Sequence, residues 1–321
     1  MRRIMFLAVL SLVLCGCAII SNDSKVTKSS NETDIQIKFQ TSTSNPNTTK
    51  LQEASSRPVS DISSPEKDMV NCSKFEVVNK DIDVKKIMKL LYEKKSLNSF
   101  KRGKTGEWVS QIDGVYHTWQ KIENGGVIYF SDRKIEKTDK DKARRAAEDF
   151  IKRFCSNFNL SFIKESEKTD EDGCYTFCYA QTCEGIRVMG NKTVALPNND
   201  EKSIHGSYIE VTIDGAGINS LFLQQAFDVK KTVKSYQAEK DFIVRDKILE
   251  TAKKYYKKLY TDLKDKAEME IQDIQIIYMP YIEGNVQYLI PVYDLSIKEE
   301  SRKEPICMLM DTVTAYVYYA Q

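Results

Sequence analysis

The sequence predicts an α+β protein in which two modules, each a helix followed by antiparallel strands, stand behind a disordered tether. Three observations predict it. Apolar residues recur at helical spacing over 139–154 and again over 242–262, with charged residues filling the other face. Each of these stretches is followed by strand-like runs separated by turn residues. Between residues 18 and 70 the chain is too poor in apolar bulk to build a core. Over all 321 residues the content is 41% hydrophobic and 10% aromatic, enough for a sizeable core, which excludes a fully disordered chain or a collagen. Charged residues make up 29% but sum to only +2, which excludes a nucleic-acid binder by bulk charge.

The first residues read as an export address. Arg2 and Arg3 precede an apolar stretch from Ile4 to Leu14 interrupted only by Ser11. At helical rise this stretch spans about 16 Å, roughly half a bilayer core, so it reads as a removable signal and not as a spanning helix. Leu14-Cys15-Gly16-Cys17 closes it and resembles the bacterial lipobox, where a signal peptidase cuts before a cysteine that receives diacylglycerol. The resemblance implies a signal peptide over 1–16 and lipid attachment at Cys17. Acyl burial near 0.8 kcal/mol per methylene, with two or three chains on one cysteine, makes a stable anchor. The membrane, reached through Cys17, is then the first expected partner, and the extracytoplasmic face of the cell membrane the expected location. Without Arg2 and Arg3 the chain carries 46 basic and 46 acidic residues, so no nucleic acid or other general polyanion is expected as a partner.

Residues 17–71 follow as the tether. Between 18 and 70, 21 of 53 residues are Ser, Thr or Asn and Phe39 is the only aromatic, so too little surface is buried to offset ordering entropy. A flexible coil of this length spans on the order of 40 Å. An N-terminal subdomain over 72–137 comes next. Ile82, Ile87, Leu90 and Leu91 predict a helix over 82–96 with Asp81 or Asp83 near its start, and a hairpin of 108–120 and 127–130 turns at Glu123-Asn124-Gly125-Gly126. The first module, 138–235, opens on the stripe Ala143, Ala146, Ala147, Phe150, Ile151 and Phe154, then offers strands near 174–181, 185–196, 207–213 and 217–223. The second module, 236–321, opens on Ile248, Ala252, Tyr255 and Leu259, with Lys253, Lys254, Lys257 and Lys258 mostly off that face. Its strands are expected near 270–282, 286–298, 305–311 and 313–319. Both modules end in a short hairpin with an aspartate at its turn, Asp214 in the first and Asp311 in the second.

A helix, a hairpin and then an apolar strand ending in Asp before a final strand resembles the PepSY-like modules of bacterial envelope proteins. Tyr288-Leu289-Ile290-Pro291-Val292-Tyr293-Asp294 and Met308-Leu309-Met310-Asp311 carry that pattern in the second module. The whole chain resembles surface lipoproteins of clostridial and related bacteria that are grouped as a family of unknown function. In general organisation it is similar to regulators of the YycI/YycH type, which sit outside the membrane and restrain a sensor kinase. It departs from them in having a lipobox where they have a transmembrane helix. The resemblance implies an envelope protein as partner and transfers no functional residue beyond Cys17.

Beyond Cys15 and Cys17 the chain has Cys72, Cys155, Cys174, Cys178, Cys183 and Cys307. The run Cys174-x3-Cys178-x4-Cys183 does not suit zinc, because i and i+4 on a strand lie about 13 Å apart and no His or fourth Cys is near in sequence. Cys178 and Cys183, read as flanking a turn in an exported chain, are the disulfide candidate, with small buried thiols on strand faces as the alternative. His205 lies between Ser203 and Ser207 in a loop without a nucleophile elbow, and His117 reads as a solvent-facing strand residue. Calcium-loop, phosphate-loop and dinucleotide patterns are not met. The chain therefore reads as a non-enzyme with no catalytic residue, metal or cofactor, a tethered binding or regulatory module acting on another envelope protein. The alternatives are a solute-binding lipoprotein of a transport system, marked by two lobes with parallel sheets, and a cell-wall hydrolase, marked by a deep cleft with two unlike carboxylates.

Overall fold

The computed structural model describes residues 37–39, 71–170, 173–196, 199–259, 269–299 and 305–320, all within one contact unit spanning 35–321. Strands β1 (Ile37–Phe39) and β2 (Cys72–Asn79) lead to helices α1 (Val84–Leu91) and α2 (Lys94–Leu97). The Asp83 carboxylate accepts from the Lys85 N–H and so starts α1. A meander of β3 (Lys101–Arg102), β4 (Trp108–Ile112), β5 (Val115–Lys121) and β6 (Val127–Ser131) follows. The run expected as one strand over 108–120 turns back at Asp113-Gly114, both with positive φ. Helix α3 (Lys140–Phe158) is capped by Asp139, which accepts from the N–H groups of Asp141 and Lys142, and it ends on Asn159 in the left-handed region.

Strands β7 (Phe162–Thr169), β8 (Tyr175–Cys183) and β9 (Ile186–Arg187) come next, then β10 (Thr193–Leu196) and β11 (Asn199–His205). After β12 (Tyr208–Asp214), β13 (Gly217–Leu223) and β14 (Phe227–Tyr236) the chain forms helices α4 (Ala238–Asp241) and α5 (Arg245–Leu259). It finishes with β15 (Met269–Glu283), β16 (Val286–Glu299), β17 (Ile306–Asp311) and β18 (Val317–Ala320).

These strands assemble into two large sheets and a two-stranded ribbon. The first sheet runs β3-β4-β5-β6-β13-β12-β8-β7, with β9 attached to β8. Its core face packs Trp119, Phe177, Ile209 and Leu221 against Ile87 of α1 and Phe150 and Phe154 of α3. The second sheet runs β1-β15-β16-β17-β18, and β2, carrying β14, joins the side of β16. Period-two alternation gives β16 two buried faces. Tyr293, Leu295 and Ile297 meet Ile248, Ala252 and Tyr256 of α5. Ile290 and Val292 point the other way, onto Met189 and onto Val194 and Ile204 of the β10–β11 ribbon.

The two sheets share a seam. Cys183, Ile186 and Val188 pack with Phe75, Phe227, Tyr278 and Leu289 in one buried cluster. The Met189 N–H donates to the Tyr278 carbonyl at 2.7 Å, laying the end of β9 along β15. Gln181 acts as a backbone mimic there: its amide donates to the Phe227 carbonyl at 2.8 Å and its carbonyl accepts from the Phe227 N–H at 2.9 Å. Gly206 belongs to the same seam, since a Cβ there would stand 2.0 Å from the carbonyl oxygens of Met189 and Gly190.

This architecture overturns the expected α+β class with two PepSY-like helix-plus-strand modules. Among the described residues 50% are in strands and 23% in helices, so the protein is mostly antiparallel β. The physical reason is that strands from the 72–137 segment complete both sheets. β2 pairs with β14 and β16, and β6 pairs with β13. Two further strands, β7 and β14, carry no apolar alternation and give no strand signal in sequence. The tether expected over 17–71 also contributes, because Ile37–Phe39 pairs in parallel with Met269–Ile271. Apart from that pair and the Val188–Tyr278 bridge, pairing among the described residues is antiparallel.

Candidate functional site

Pro291 opens a concavity among the described residues. Along one side β16 pairs with β2 at Gln287 to Leu289 and with β17 from Val292 onward, leaving Ile290 and Pro291 unpaired between them. Proline has no N–H for a ladder, so the strand changes partner there and the sheet forks. The Thr312 hydroxyl donates to the orphan Pro291 carbonyl at 3.1 Å. A cleft of about 190 Å³ lies in the fork. Lys74 and Tyr236 form one prong, Asp311, Val313 and Tyr318 the other, with Tyr281 and Glu283 from β15 alongside.

The polar groups of the cleft are mutually engaged. Lys74 Nζ stands 3.2 Å from Glu283 Oε2 and 4.1 Å from the centre of the Tyr288 ring. Asp311 Oδ1 accepts from the N–H groups of Val313 and Thr314 at 2.9 and 2.7 Å, closing the β17–β18 turn. Its Oδ2 accepts from the Tyr318 hydroxyl at 3.1 Å. Burial, and then the Asp311 charge, hold Tyr318 above the ordinary tyrosine range. The rings of Tyr281 and Tyr318 lie 6.0 Å apart, and Tyr316 packs against Tyr318 at 5.1 Å. The result is a small aromatic wall with one ammonium and two carboxylates on its rim.

Farther along the same ribbon-facing side of β16 sits a charged cluster. Asp294 and Cys307 are diagonal neighbours on one face, since Asp294 pairs with Leu309 and Ser296 with Cys307. Arg187, at the end of β9, bridges Glu165 Oε1 at 2.5 Å and Asp294 Oδ2 at 2.7 Å, tying the first sheet to the second. Lys192 Nζ reaches the two Asp294 oxygens at 3.1 and 3.0 Å and Cys307 Sγ at 2.8 Å. The Cys307 thiol donates to Asp294 Oδ1 at 3.0 Å. Burial alone would raise the Asp294 carboxyl, but Lys192, Cys307 and Arg187 outweigh it and hold it below its usual range. Burial first, and then Asp294, push the Cys307 thiol up to about 12.

The residues singled out from sequence fall elsewhere. Cys17, the lipid-attachment candidate, lies outside the described residues. The Cys178–Cys183 disulfide is corrected: both are free thiols within the single strand β8. Five residues along a strand put them on opposite faces about 16 Å apart, far beyond disulfide reach. The turn expected between them begins only after Cys183, at Glu184-Gly185. Cys178 Sγ instead faces Glu210 on β12 at 3.6 Å. His117 is also corrected, being buried, with its Nδ1 3.2 Å from the Tyr92 hydroxyl and 3.0 Å from that of Tyr129. Asp214 and Asp311 do share a device, each accepting at 2.9 Å from the N–H two residues on. Neither the fork nor the charged cluster was found from sequence. Pro291 within an apolar run was the one available signal for the fork.

No family model matches the chain, and no curated protein does. Among solved structures, the chain is similar to an uncharacterized protein from Eubacterium rectale, at 14% identity over 78% of this chain and 86% of that one, with a TM-score of 0.48. It is similar also to the C-terminal domain of YpeB from Bacillus megaterium, at 10% identity over 75% of this chain and 98% of that one, with a TM-score of 0.34.

Proposed function

We propose that this protein is a lipid-anchored extracytoplasmic binding module that docks another envelope protein through the tyrosine-lined fork at Pro291. The observation that carries the reading is the size of the cleft, about 190 Å³. Pockets that enclose a small-molecule ligand run to about 300–1,000 Å³, so this volume suits one inserted side chain better than a transported solute. Tyrosine supports the same reading, because it offers broad apolar contact with a polar tip at little entropic cost. The rim carboxylates favour a binding role over a hydrolytic one: Asp311 is occupied by its turn and by Tyr318, and Glu283 by Lys74. The anchor rests on the Leu14-Cys15-Gly16-Cys17 pattern.

Cross-linking in intact cells followed by affinity purification tests the reading, with the native chain compared against Cys17→Ala and Tyr281→Ala. The expected result is one discrete envelope protein recovered with the native chain, weakened in Cys17→Ala and lost in Tyr281→Ala while the variant remains folded by circular dichroism. Recovery unchanged in Tyr281→Ala would overturn the fork as the docking site. An empty native preparation in every growth condition would overturn the protein-binding role itself.

A further inference from the structure

Lys192 Nζ and Cys307 Sγ lie 2.8 Å apart, closer than a nitrogen–sulfur hydrogen bond ordinarily brings these atoms. Asp294 holds both, accepting from the ammonium through each oxygen and from the thiol through Oδ1 at 3.0 Å. Arg187 fixes Asp294 from its other side at 2.7 Å, and Glu165 fixes Arg187 in turn. Cys307 is anchored by its position on β17 and Lys192 by the close backbone packing near Gly206, whose N–H donates to the Lys192 carbonyl at 3.2 Å. The amine and the thiol are therefore held in mutual contact by a supporting set of charges, at a separation that a single oxygen atom spans.

We propose that Lys192 and Cys307 are a site of oxidative cross-linking, joined by hydrogen peroxide into a nitrogen–oxygen–sulfur bridge. The net step consumes the neutral amine, the thiol and two peroxides and yields the bridge and three waters. One N–H and the S–H bond break, one N–O and one S–O bond form, and both peroxide O–O bonds are cleaved. Nitrogen and sulfur together give up four electrons, which reduce the two peroxides. The ammonium proton leaves through Asp294 to solvent. Because the buried thiol is held largely protonated, proximity and not acidity selects this pair, and formation is slow relative to an exposed low-pKa thiol. The product ties the loop after β9 to β17 and so locks the β9–β11 segment onto the second sheet.

The test is peptide mapping of the full-length protein, extracted in detergent and treated with excess hydrogen peroxide. Trypsin is expected to yield a linked species joining 188–202 to 304–321, heavier than the two peptides by one oxygen less two hydrogens. Cleavage after Lys192 should be lost, and dithiothreitol should restore it. The same treatment in urea, or of Lys192→Arg or Cys307→Ser, is expected to give no link. Because the wild-type map does not depend on either variant folding, it decides alone. Cys307 recovered as an alkylatable thiol or as sulfinic acid, with Lys192 still cleaved, would overturn the proposal. A link lighter by two hydrogens and lacking the oxygen would mean a direct sulfur–nitrogen bond and would also overturn it.

Discussion

A single buried imidazole illustrates how residue-scale chemistry departs from sequence pattern. His117 reads as solvent-facing because it is polar, yet period two on β5 sets it on the face of the buried Trp119, under Tyr92 and Tyr129. Burial first, and then the Arg133 charge, lower its pKa below the ordinary 6.5, with Asp132 opposing. His205 is lowered by burial as well. A histidine whose folded pKa is depressed binds its proton more readily in the unfolded chain, so stability is full above about pH 6.5 and declines as pH falls through that value. Thermal unfolding followed across this range should show that decline, and His117→Gln should flatten it, leaving the share due to His205. An identical slope in the variant would place the titration elsewhere. The aspartate turns were legible from sequence because an Asx turn is a local device. Their partners were not: Arg133 grips the fully buried Asp214 through Nε at 3.1 Å and Nη2 at 2.7 Å across 81 residues of chain.

At the scale of elements, sequence was most informative where one face is buried. The start and stripe of α3 emerge at Asp139 and at Ala143, Ala146, Ala147, Phe150, Ile151 and Phe154, with Ala146 only half-buried, and the helix extends one turn further to bury Phe158. Elements that bury little left no such trace. β14 is exposed along almost its whole length, with Val229 and Val233 each 46% exposed, and among the described residues it pairs with β2 alone. Such an edge is a template for pairing with another chain, and lysines along it act as guards. Lys230, Lys231 and Lys234 occupy this edge, Lys231 also pairing with Glu76 at 2.9 Å. Replacing Lys230 and Lys234 with Val is therefore expected to leave the fold intact and to induce concentration-dependent association in sedimentation velocity. Unchanged sedimentation would show that the exposed edge is protected by something other than its charge.

For the molecule as a whole, the decisive information lies in pairings between distant segments, which local periodicity does not encode. A helix followed by strands was readable twice, but β2 reaching β14 and β16, and β6 reaching β13, turned those runs into two shared sheets. The charged cluster is illegible for the same reason: Glu165 and Arg187 come from the first sheet, while Asp294 and Cys307 come from the second. If that seam joins the sheets into one cooperative body, its central cation must matter to both. Removing Arg187 leaves the Glu165 carboxylate without it and Asp294 with Lys192 and the Cys307 thiol. Breaking a buried pair from one side costs about 3–5 kcal/mol, and the residual exposure of Arg187 places the expectation near the lower figure. Urea unfolding of Arg187→Ala, followed by both circular dichroism and tyrosine fluorescence, should show a midpoint lowered accordingly while the two probes still move together. The apolar part of the seam, with Phe75, Val188, Phe227 and Tyr278, would then still couple the sheets. Two separated transitions would instead mean that the Arg187 bridge, and not the apolar seam, makes the sheets fold as one. A loss well under about 1 kcal/mol would assign Arg187 no more than the weight of a surface ion pair.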